Sequence, residues 1–223
     1  MRRQRFNEHA FEKGNHDGYI KWRNACGKGR FWIGLLLIVL SYARAQQAGT
    51  LFVLIEPKFM KAPVSMPIAA SEKAELVAAI MGETEVAYLS RADFDATKMD
   101  WAAFTEKARE NAEAELKTMT TEYKRDRKKV ILYAKLQSPR SLIASAILAP
   151  KFLEFFKNTL GEKVLIVIPN RTTAYVFPAL ASNYQDYAPM IFEAYRATPF
   201  PVSREVFELS PSGLKAVGAF EEP

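Results

Sequence analysis

A single cysteine, two histidines and no apolar run long enough to cross a bilayer mark this chain of 223 residues by what it is short of. One cysteine cannot build an intramolecular disulfide framework. The most apolar uncharged stretch, residues 31–43, has 13 residues, whereas a spanning helix needs about 20. Ten glycines and 12 prolines are too few for a collagen-like or linker-dominated chain, and 49% apolar with 25% charged residues is an ordinary folding composition. The surplus charge is modest, +6, and its position matters more than its size.

All of that surplus lies in the first 45 residues. They hold nine basic side chains and three acidic ones, Glu8, Glu12 and Asp17, which leaves 22 basic and 22 acidic side chains in residues 46–223. Cys26, His9 and His16 are in the same leading piece. It reads as a basic stretch, an apolar run at residues 31–40, and Ala43-Arg44-Ala45 before Gln46. Basic residues that stay on the cytoplasmic side, an apolar run of signal length and small residues at a cleavage position are the pattern of a secretory signal. The expectation is a signal peptide over 1–45 and an exported chain, periplasmic or extracellular. Its basic region is long, which also fits a start site assigned upstream of the true one. The alternative is a membrane anchor through residues 31–43.

Once that piece is removed, the chain has no His and no Cys. Imidazole-assisted nucleophiles, thiol nucleophiles and His or Cys zinc sites are then excluded. Carboxylate, Lys, Tyr, Arg and Ser chemistry is left.

Residues 46–223 read as one α+β domain: an antiparallel or mixed sheet with helices mainly on one face, in the order β-α-β-α-β-α-β-β-α-β-β. Leu51-Phe52-Val53-Leu54-Ile55 is a strand stopped by Pro57. Ser71 caps a helix carrying Leu76, Val77, Ile80 and Met81, closed by Gly82. Residues 84–89 alternate as a half-buried strand. Asp100 caps a second helix over 101–118, with Trp101, Phe104, Ala108, Ala112 and Leu116 on one face. A strand at 130–134 follows, then a helix over 141–160 that Pro150 should kink or divide, strands at 164–168 and 173–177, a helix over 186–197, and strands near 205–209 and 214–218. Asn170 and Gly161 stand where positive φ is tolerated. A soft boundary falls near the basic run 124–129.

Met99-Asp100-Trp101, Asn111-Ala112-Glu113-Ala114-Glu115-Leu116, the stretch Ser141-Leu142-Ile143-Ala144-Ser145-Ala146-Ile147-Leu148, and Val164-Leu165-Ile166-Val167-Ile168-Pro169-Asn170-Arg171 together resemble the YtpQ-like family of unknown function. The similarity spans residues 85–220 in outline and is best at 138–178. Family members often carry Pro-x-Arg-Asp in the hairpin, where this chain has Pro169-Asn170-Arg171-Thr172. The resemblance implies the domain and no particular activity.

Asp93, Asp95 and Asp100 alternate as cation ligands can, but the turn glycine and terminal glutamate of a calcium loop are missing, so capping explains them and no metal is expected. Glu83 and Glu85 share a strand face at a spacing a glycosidase could use. Lys124 to Lys129 is basic, yet a neutral chain without interleaved aromatics argues for a solvated strand edge and against nucleic acid. The scattered methionines read as packing, and no Lys is placed beside Ser138 or Ser141 to activate it. The candidate binding constellation is Asn170, Arg171 and Tyr175 at the hairpin with Tyr184, Asp186 and Tyr187 at the next helix start. A planar cation and amphipathic rings suit a protein partner or a small anionic ligand. The function expected is a non-catalytic binding or interaction module without cofactor. The alternatives are a hydrolase using carboxylate or Ser–Lys chemistry and a membrane-tethered scaffold.

Overall fold

The apolar run at residues 51–55 needs cover on both faces, and it finds cover in strand β1, Thr50–Pro57, which buries everything from Phe52 to Glu56. A computed structural model describes residues 49–82, 85–181 and 183–221; the expected signal peptide lies outside them. All described residues belong to one compact unit, Gln47–Pro223. No described helix is long and apolar enough to cross a membrane.

β1 pairs antiparallel with β3, Ala74–Met81, from Thr50 opposite Met81 to Pro57 opposite Ala74. On the other side of β3 sit two short strands, β2 (Ser65–Pro67) and β4 (Val86–Tyr88). The expected helix after Ser71 is therefore a strand. Its capping signal is real: the Ser71 hydroxyl accepts from the Ala74 amide three residues on, at 3.0 Å, as an N-cap would. The hydroxyl also donates to the Glu205 carboxylate at 2.8 Å, and the hydrogen bond closes a turn into β3. Central placement between other strands overrides the helical propensity of Ala74, Ala78 and Ala79, all fully buried.

Two helices follow. The Ser90 hydroxyl accepts from the Asp93 amide and caps α1, Arg91–Ala96. Asp100 Oδ1 accepts from the Ala103 amide at 2.8 Å and caps α2, Trp101–Thr118, which buries Phe104, Ala108 and Ala112 as expected. Of the three acidic residues considered for a cation, Asp93 accepts from the Ser90 hydroxyl at the start of α1, Asp100 caps α2, and Asp95 lies within α1.

The second sheet has six strands in the order β10-β9-β7-β8-β6-β5, every pairing antiparallel. They are β5 (Thr120–Arg125), β6 (Ile131–Gln137), β7 (Val164–Asn170), β8 (Thr173–Pro178), β9 (Glu205–Ser210) and β10 (Gly213–Ala219). β5 was not expected, because Thr-Thr-Glu-Tyr-Lys-Arg has almost nothing to bury; it is an edge strand. The basic run forms its turn to β6. Asp126 Oδ1 accepts from the Lys128 and Val130 amides, each at 2.8 Å, and Lys129 takes φ 67°.

β6 reaches β7 through α3 (Ile143–Ile147) and α4 (Phe152–Phe156), one helical stretch divided beside Pro150. β8 reaches β9 through a 3-10 turn, Tyr184–Tyr187, and α5, Ala188–Arg196. The crossovers lie on opposite faces. Val164, Ile166 and Ile168 meet α3, α4 and the first sheet, while Leu165 and Val167 meet α5. β7 is consequently buried along its whole length. The fold is α+β, with helices on both faces of the larger sheet rather than mainly on one, because an unbroken apolar run such as β7 exposes a second face that needs cover.

Candidate functional site

α5 is narrower than the sheet it covers. Ala188, Ile191 and Phe192 pack on Leu165, Val167, Tyr175, Phe177 and Val206. Beyond the helix, Glu122 of β5 and Lys135 of β6 on this face line open space. Register puts Glu122 opposite Lys135 and Lys135 opposite Tyr175, a row running across three strands. Two residues along β6 from Lys135, Tyr133 occupies the same face. Together with Asn170, Thr172, Thr173, Met190, Glu193 and Thr198 they line a groove of about 660 Å³.

The aromatic floor of this groove is closely packed. The Tyr133 ring stands edge-on to Tyr187 at 5.0 Å and to Tyr175 at 5.9 Å, and its hydroxyl donates to Met190 Sδ at 3.3 Å. Burial pushes both the Tyr133 and Tyr175 hydroxyls above the ordinary 10, and neighbouring charge adds to it: Glu122 at both, Glu193 at Tyr175. Both phenols stay protonated at neutral pH and present O–H groups. The groove therefore carries a cation, two carboxylates and two phenols.

Asn170 braces one wall. Its amide nitrogen donates to the Ala194 carbonyl at 3.0 Å, near the end of α5, and its oxygen accepts from the Thr172 amide and hydroxyl, each at 3.0 Å. It does so without positive φ, which falls instead on Gly161 and Gly213 among others. The side chain, rather than backbone tolerance, is what the turn uses.

Arg171 is elsewhere. Its Nε lies 2.8 Å from Glu56 Oε1, its Nη2 donates to Glu56 Oε2 at 3.1 Å and to the Tyr88 hydroxyl at 2.7 Å, and its guanidinium lies over the Tyr88 and Phe200 rings. Glu56 is 2% exposed. Its carboxyl is raised above the ordinary value because burial outweighs the pull of Arg171. The hairpin cation thus serves to join the two sheets, its charge answered within the fold.

Tyr184 and Tyr187 are half-buried on Phe177, and Tyr184 meets Phe220 edge-on at 5.6 Å. Asp186 is exposed in the 3-10 turn. Of the six expected residues, Asn170 and Tyr175 line the groove, Tyr187 supports its floor through Tyr133, and Arg171, Tyr184 and Asp186 point to other surroundings.

No family model, curated protein or solved structure matches this chain.

Glu122, Tyr133, Lys135 and Glu193 were missed by sequence reasoning. The signal that could have found them is the alternation of Glu122 with Lys124 and of Tyr133 with Lys135, which becomes readable once 120–125 is taken as a strand. Among the described residues no group of three or more His, Cys, Asp or Glu could hold a metal ion. Glu85 is exposed at the start of β4, and Glu83 lies outside the described residues. The Lys58 ammonium donates to the Ser71 carbonyl at 2.8 Å, while the Ser71 hydroxyl donates to a carboxylate.

Proposed function

We propose that this chain is an exported, non-catalytic binding module that takes its ligand or protein partner in the groove beside α5. The observation that carries the reading is the uncovered face of β5 and β6, where Glu122 and Lys135 line a groove with Tyr133 and the edge of the buried Tyr175, next to a helix that covers the rest of the sheet. Tyrosines offer broad contact at low entropic cost, and the Glu122, Lys135 and Glu193 charges give orientation. Catalysis by carboxylates would need a pair held across a reacting bond; here the charged groups are spread along the groove wall and floor.

A thermal-shift screen of the full chain against di- and tripeptides and short oligosaccharides tests this. A hit should lose about tenfold or more in affinity in both Lys135→Ala and Tyr175→Phe, the magnitude of a lost charge-assisted or phenolic contact. Hits unaffected by both substitutions, or turnover of chromogenic ester, glycoside or peptide substrates that disappears in Glu122→Gln or Glu193→Gln, would overturn it. Export has its own check: expressed with its leading segment, the product should begin at or near Gln46.

A further inference from the structure

Elsewhere in the fold, Pro57 to Phe59, Lys73, Tyr195 and residues 202–204 surround a pocket of about 270 Å³ that shares no lining residue with the groove. Three of its side chains are cationic, Lys58, Lys73 and Arg204. Five lysines on other surfaces sit beside carboxylates: Lys107 with Glu110, Lys151 with Glu113, Lys157 with Glu162, Lys163 and Lys215 with Glu208. Among the described residues, neither Lys73 nor Arg204 has an ion pair. Three positive groups around one small space repel one another unless an anion joins them.

The pocket is also built in advance. The Arg204 guanidinium sits over Phe192 at 4.6 Å and over Tyr195 at 5.7 Å, and these contacts hold the cation at the pocket. Lys58 is held by the Ser71 carbonyl at 2.8 Å, and its backbone amide donates to the Lys73 carbonyl at 2.9 Å, which keeps the two lysines adjacent. The pocket lining itself includes no carboxylate, and the neighbouring Glu205 is engaged by the 71–73 turn. Its oxygens accept from the Ser71 hydroxyl and the Glu72 amide at 2.8 Å and the Lys73 amide at 3.2 Å, so it holds the 71–73 turn in place. The side chains that line the pocket carry three cations and no acid. Phe59, 64% exposed, and Tyr195 supply flat apolar walls.

We propose that this pocket binds a compact phosphate monoester carried on a small aromatic or heterocyclic ring, the phosphate held by Lys58, Lys73 and Arg204 and the ring lying against Phe59 and Tyr195. A dianion matches the number of cations better than a carboxylate does, and the volume limits the remainder to about one ring. This site goes beyond the groove reading and stands independently of it.

Calorimetric titration of the full chain with phenyl phosphate, inorganic phosphate and benzyl alcohol, at low and moderate salt, is the test. Phenyl phosphate should bind at least about tenfold more tightly than either of the others, and added salt should weaken it. Lys73→Ala, an exposed position, and Arg204→Gln should each weaken it about tenfold or more, while Lys128→Ala in the β5–β6 turn should leave it unchanged. Phenyl phosphate binding no better than benzyl alcohol, binding indifferent to Lys73→Ala in a folded protein, or equal loss in Lys128→Ala would overturn the proposal.

Discussion

The Arg171 guanidinium, at the β7–β8 turn, approaches the Glu56 carboxylate of β1 with Nε 2.8 Å from Oε1, and through this pair the smaller sheet is tied to the larger. Glu56 is 2% and the Arg171 side chain 16% exposed, so both charges have left most of their water. Such a pair contributes little relative to a well-packed apolar pair, yet either charge left alone is expensive. Arg171→Met or Glu56→Leu alone should cost roughly 3–5 kcal/mol, and the double variant should recover much of that loss. Urea unfolding monitored by tryptophan fluorescence measures all three; single variants near wild-type stability would contradict the pairing.

Tyr88 stands against the same pair. Burial, with the Glu56 charge adding to it, pushes its hydroxyl up to about 12. A phenol that ionises later in the folded state holds its proton more tightly there, so stability falls as pH rises from the ordinary 10 toward about 12. Spectrophotometric titration of the full chain should contain a phenolate transition near 12 that is missing from the Tyr88→Phe curve.

Glu115 on α2 is 3% exposed and bonded to Arg140, and its Oε2 has no hydrogen-bond partner. Burial raises its carboxyl above 4.5 despite Arg140. The folded state therefore binds this proton more tightly than the unfolded chain. Its contribution is fully present below 4.5 and is lost as pH rises through the folded value. Stability measured from pH 7 downward should carry a rising component toward mildly acidic pH that Glu115→Gln removes.

Asn170 links the β7–β8 turn to α5 through three hydrogen bonds. Asn170→Ala removes three partly buried hydrogen bonds and should cost about 1–3 kcal/mol. It should also loosen the groove wall, which amide hydrogen exchange at 194–198 would report as faster exchange than in wild type.

The elements most legible from sequence were those whose local and tertiary demands agree. α2 has a capping Asp100, an apolar stripe and a charged opposite face, and it forms over the range its periodicity indicates. Pro150 divides the next helix because a proline can neither donate nor fit inside one. β3 was misread because its alanines favour a helix and its Ser71 makes a genuine capping hydrogen bond. Only its position between β1 and β2 with β4 reveals a strand. β5 was passed over for the opposite reason: an edge strand needs little apolar character, so its sequence resembles a loop.

The candidate site divided in the same way. Tyr175 and Asn170 were accessible because they flank a recognisable hairpin. The fate of Arg171 was not, since its partner Glu56 lies 115 residues away in sequence, and no local pattern says which carboxylate will neutralise a turn arginine.

By itself the sequence determined the α+β class, the capped α2 helix, the hairpin at 169–172 and the confinement of surplus charge, cysteine and histidine to the first 45 residues, because composition, capping and periodicity act over a few turns of chain. The tertiary structure alone decided that Arg171 is spent within the fold, that β5 and β6 keep an open face beside α5, and that Lys58, Lys73 and Arg204 share a pocket. Those outcomes depend on which distant segments meet, and strand order and register set that through burial and pairing summed over the whole chain.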